Sequence, residues 1–80
     1  MSIDKAALLD EERKIRRLRR AMDLTAVLLW KVDLTLEQAQ EIVHHAKKTA
    51  LQLFPDKEGT FDLVYAPRFR RILVEKYHLQ

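Results

Sequence analysis

The sequence predicts an all-α fold: a small three-helix domain built on a long antiparallel helical hairpin, with a C-terminal helix packed across it. Three observations predict this. Glycine occurs once and proline twice in 80 residues, while the strong helix formers Ala, Leu, Glu, Lys, Arg and Gln dominate. Apolar residues recur at helical rather than alternating spacing. A helix-start signal, Thr35-Leu36-Glu37-Gln38, separates the first two periodic stretches.

The first helix is expected from about Asp4 to Val32, with Ser2 or Asp4 as its cap. Leu8, Ile15, Met22 and Leu29 recur every seven residues, and Leu18, Thr25 and Val32 supply the intervening row. Further along, Ala21, Met22, Leu24, Val27, Leu28, Leu29, Trp30 and Val32 cover almost the whole circumference. A helix that is apolar all round is surrounded by packing partners, so this segment is the expected centre of the fold.

Asp33-Leu34 forms the turn, and Thr35 caps a second helix from Leu36 to about Leu53, with Gln38 completing a capping box. The stripe of this helix is Leu36, Ala39, Ile42, Val43, Ala46, Ala50 and Leu53; its alanines allow close approach to the first helix. Phe54-Pro55 ends it. Asp56 to Gly59 reads as a loop, and Thr60 as the cap of a short helical turn through Phe61, Val64 and Tyr65. Pro67 suits the first position of a last helix reaching about Tyr77, with Phe69, Ile72 and Leu73 inward.

This length bounds the answer to a single domain, residues 1–80. A chain this short buries only about 60–65% of its unfolded surface. The absence of cysteine excludes disulfides, thiolate zinc sites and cysteine nucleophiles. Stability must therefore come from helix packing or from a second copy. At 1.5 Å per residue the first helix would measure about 43 Å and the second about 27 Å. A second helix running back covers only residues from about 15 onward, leaving Leu8 and Leu9 on an overhang. Either the first helix bends or the overhang packs on another chain. A homodimer is the preferred reading, with Leu8, Leu9, Leu24, Val27, Leu28 and Trp30 as its candidate self-association surface.

The net charge of +3 is modest, but its distribution is uneven. Residues 1–12 carry Asp4, Asp10, Glu11 and Glu12 against Lys5. Residues 13–20 then carry Arg13, Lys14, Arg16, Arg17, Arg19 and Arg20 with no acid. Arg68, Arg70 and Arg71 form a weaker cluster. On a helical wheel Arg13, Arg16, Arg17 and Arg20 fall opposite Ile15 and Leu18. Three readings fit this basic face: a solvated surface paired with Glu11, Glu12 and Asp23 at helical spacing, a sequence-independent contact with nucleic-acid phosphates, or an acidic protein partner. A basic run followed by heptads is the layout of a basic leucine zipper, but the repeat here lasts about two heptads where three or four are needed. The turn between the first two helices also lacks the glycine common in helix-turn-helix motifs.

Little else carries chemistry. Glu41 with His44, and Glu75 with His78, have the Glu-x-x-His spacing of di-metal bundles. Both pairs fall on polar faces, so no metal or other cofactor is expected. His44 and His45 point about 100° apart and do not readily serve one site. Trp30, Tyr65, Phe69 and Tyr77 are spaced as core or rim residues rather than as base-stacking platforms, with Trp30 suited to an interface. There is no glycine-rich phosphate loop, serine occurs only as Ser2, and no acid, base and nucleophile converge on one face. Neither catalysis nor a small-molecule substrate is expected. Residues 1–20 lack the layout of a signal peptide, and the longest apolar run, Leu24 to Val32, is too short to span a membrane. The expectation is a soluble cytoplasmic interaction module whose partner is itself or another protein; the alternative is a nucleic-acid binder acting through Arg13, Arg16, Arg17 and Arg20.

Overall fold

A computed structural model describes residues 4–79. Helix α1 spans Lys5–Lys31, α2 Leu36–Leu53, α3 Glu58–Val64 and α4 Ala66–Tyr77. The Asp4 carboxylate caps α1, accepting from the backbone N–H of Ala6 at 3.0 Å and of Ala7 at 3.4 Å. Ser2, the other candidate cap, lies outside the described residues. The capping box at α2 is present in both directions. Thr35 Oγ1 accepts from the Gln38 backbone N–H at 3.1 Å, and Gln38 Oε1 accepts from the Thr35 N–H at 2.9 Å.

Helices α1 and α2 form the expected hairpin, and the joined C-terminal segment packs across them. The core gathers Met22, Ala26 and Leu29 of α1, Ala39, Ala46 and Ala50 of α2, Phe61 of α3, and Phe69 and Ile72 of α4. All contributions from α2 are alanines, which bring its backbone close to the bulkier side chains of α1. Thr25 is buried within the α1 stripe, and its hydroxyl donates to the Ala21 carbonyl at 2.7 Å, so no orphan donor is left inside.

The stripe on α1 is covered only in its later part. Met22, Thr25 and Leu29 are buried and Leu18 is half-buried, whereas Leu8, Ile15 and Val32 are exposed. For Leu8 and Ile15 the reason is length, since α1 has 27 residues and α2 has 18, whereas Val32 lies past the last turn of α1 as its C-cap. The described residues extend 53 × 22 × 16 Å with a radius of gyration of 14.9 Å, against about 12 Å for a compact domain of this size. Helix α1 runs on as one uninterrupted element, and its first turns overhang.

The segment that is apolar all round is covered on one side only, contrary to expectation. Leu24, Val27, Leu28, Trp30 and Val32 are all exposed. Helices α2 and α4 occupy the flanks of the Met22–Leu29 stripe, and among the described residues no further element covers the outer face.

The short helix differs from the sequence reading in start and orientation. It begins at Glu58, so Glu58 and Gly59 are helical rather than loop, and Thr60 is not its cap. The stabilising partner comes from α2: Lys47 Nζ lies 3.1 Å from both Glu58 Oε1 and Asp62 Oδ1, residues one helical turn apart. Phe61 is buried and Tyr65 half-buried, but Val64 turns outward beside the exposed Leu63. Tyr65 alone separates α3 from α4, which starts at Ala66 rather than Pro67. Pro67 has no N–H to donate to the Leu63 carbonyl, so the α3 ladder cannot continue through it.

Gly59 has no positive φ, and a Cβ built on it meets nothing within 4 Å. Its flexibility therefore serves no visible backbone purpose. Gly59→Ala is expected to raise stability by about 0.4–1 kcal/mol, chiefly by restricting the unfolded chain. The check is a higher urea midpoint at unchanged slope; a lower midpoint refutes it.

Two side chains near the end of α4 lock it to the closed end of the hairpin. Lys76 Nζ donates to the carbonyls of Leu29 and Val32, both at 2.6 Å. These lie at the C-terminus of α1, where carbonyls lack helical partners and the helix dipole favours a cation. The Tyr77 hydroxyl donates to the Leu34 carbonyl at 2.7 Å. His78 then adopts the left-handed conformation, with φ 55°, that ends the helix.

Candidate functional site

Two surfaces of α1 stand out. The first is its basic face. Arg13, Arg16, Arg17 and Arg20 are exposed, as the helical wheel requires. Because α2 stops at Leu53 while α1 runs on, a step is left between the overhang and the end of α2. The step is a trough of about 510 Å³ lined by Asp10, Arg13, Lys14, Arg16, Arg17, Arg20 and Leu53. The sequence puts Leu53 in the stripe of α2 and Lys14 in the basic run, but assigns neither to the basic face. Leu53 enters only because α2 folds back beside α1.

Of the three readings of this face, the solvated one pairs it with Glu11, Glu12 and Asp23, and those pairs are not formed among the described residues. Asp23 pairs across the fold with Arg68 of α4 at 3.3 Å. Within residues 13–20 only Lys14 has an ion-pair partner among the described residues, Asp10 at 3.7 Å. Among the described residues the five arginines of the segment have no carboxylate at pairing distance.

The second surface is apolar. Leu24 is 60% exposed, Val27 49%, Leu28 36% and Trp30 46%. Val27 and Trp30 also border a groove of about 410 Å³ between α1 and α4, where Ile72 meets Lys31, Arg71 and Glu75. Leu8 and Leu9, each half exposed, do not join this patch. They sit about 22 Å further along the helix axis, with the arginine segment in between. The six candidate self-association residues thus form two patches rather than one.

The remaining candidates lie apart. Glu41, His44, Glu75 and His78 are all exposed. Among the described residues no group of three or more His, Cys, Asp or Glu side chains is close enough to hold a metal ion. The rings of His44 and His45 splay at 57° with centroids 6.5 Å apart. Phe69 is buried, and Tyr65 and Tyr77 are half-buried, as core and rim residues. The Lys47 ammonium is held above its ordinary pKa by its hydrogen bonds to Asp62 and then Glu58; it serves as a tie between α2 and α3. Among the described residues no helix is long and apolar enough to cross a membrane. No protein-family model matches the chain, and no curated protein or solved structure matches it.

Proposed function

We propose that this chain is a non-enzymatic helical interaction module that associates with a second copy of itself through the outer face of α1. One observation carries the reading: Leu24, Val27, Leu28 and Trp30 remain more than a third exposed although their neighbours Met22, Ala26 and Leu29 form the centre of the core. Contiguous exposed apolar side chains of this size mark interaction surfaces, and tryptophan is enriched where such surfaces bind most strongly. A two-fold pair is the simplest occupant, because one patch then covers its own copy. A 53 Å rod with a small core also benefits from the extra burial. The same reading places the chain in the cytoplasm, with no cofactor and no small-molecule substrate.

Sedimentation equilibrium at micromolar concentration is expected to give twice the 9.5-kDa chain mass. Combining Leu24→Gln with Val27→Gln is expected to return the single-chain mass with unchanged helix content. A single-chain mass for the unsubstituted protein overturns the reading. A double mass that survives the substitutions moves the interface elsewhere and overturns the assignment of the patch.

A further inference from the structure

We propose that the trough beside the end of α2 binds the phosphate backbone of duplex nucleic acid. This goes beyond self-association and rests on a different stretch of α1, its earlier turns, on the same outward side as the apolar patch. Arg13, Lys14, Arg16, Arg17 and Arg20 converge on one concavity whose single acid, Asp10, is already engaged by Lys14. Charges spread for solubility alone are interspersed in sign; here six cations follow one another from residue 13 to residue 20 without an acid. Arg13 stands three and four residues from Arg16 and Arg17, and Arg20 stands four and three beyond them. Like charges at these spacings oppose the helix. A polyanion laid in the trough converts that repulsion into attraction and releases its own condensed counterions.

The residue types point to phosphate. Five of the six cations are arginine, whose planar fork matches phosphate oxygens in pairs. An acidic helix seated in the trough would need a row of apolar contacts alongside its carboxylates, and the trough offers only Leu53. Single-stranded nucleic acid is held through bases stacked on aromatic rings; no aromatic residue lines this trough. A duplex backbone, which asks only for cations in register, fits what is there.

The test measures fluorescence anisotropy of a labelled mixed-sequence DNA duplex with the full chain. Engagement of about four phosphates predicts a slope of log affinity on log salt near −3.6, an affinity loss of about 150-fold between 50 and 200 mM salt. Replacing Arg13, Arg16, Arg17 and Arg20 by glutamine is expected to abolish binding while circular dichroism stays helical, because glutamine keeps good helix propensity. A control variant with Lys5, Lys48, Lys57 and Arg70 changed to glutamine removes the same net charge elsewhere and is expected to retain binding. Equal loss in both variants overturns the site in favour of diffuse charge attraction. Labelled polyglutamate bound as tightly as the duplex overturns it in favour of an acidic protein partner. No binding to the duplex at 50 mM salt overturns it outright.

Discussion

Phe69→Ala is expected to destabilise the fold by about 3–5 kcal/mol, the range for removing a fully buried aromatic side chain. Phe69 is 0% exposed, and its ring centroid lies 6.3 Å from that of Phe61. With Ile72 it anchors α4 in the core shared with α1 and α2, and of the two it is the larger and the fully buried one. Truncation forfeits the transfer energy of the ring and leaves a cavity that rigid helical neighbours only partly fill. A domain of this length has a total stability of about 4–12 kcal/mol, so the loss is a large fraction of the whole. Urea unfolding checks it through a fall in midpoint at unchanged slope. A loss under about 1 kcal/mol would show that α4 is peripheral and that the hairpin stands without it.

Leu29→Ala follows, with an expected loss of about 2–5 kcal/mol. Leu29 is also 0% exposed and lies on the covered stripe with Met22 and Ala26. Its side chain is what the substitution removes; its carbonyl still accepts from Lys76, so the polar lock on the end of α1 survives. The measured change therefore reports packing alone. The comparison is Leu28→Ala one residue earlier, on a side chain 36% exposed. At concentrations low enough to keep the protein monomeric, Leu28→Ala is expected to cost clearly less. Equal losses at the two positions would mean that the outer face is covered within a single chain, contrary to the fold described.

The elements legible in the sequence are those set by interactions a few residues long. Helix α2 begins and ends where Thr35, Gln38 and Phe54-Pro55 place it, because a capping box and a proline act within one turn. Asp4 starts α1 in the same way. The exposed arginine face follows from 3.6-residue periodicity alone, and the overhang from comparing two helix lengths.

What the tertiary structure alone decided depends on residues far apart in the chain. Lys76 and Tyr77 reach carbonyls of the hairpin turn across 43 to 47 residues, and Arg68 draws Asp23 away from the arginines of its own helix across 45. Lys47 of α2 pairs with Glu58 and Asp62 of α3, where a local reading finds a loop at Glu58. Which side of the apolar segment of α1 is covered, and that Leu53 completes the basic trough, were likewise settled by where α2 and α4 lie. Local propensity and capping act over about one helical turn and so fix each helix almost independently. The choice of covered face depends on the summed burial of side chains from all the helices at once, a quantity that no window of sequence contains.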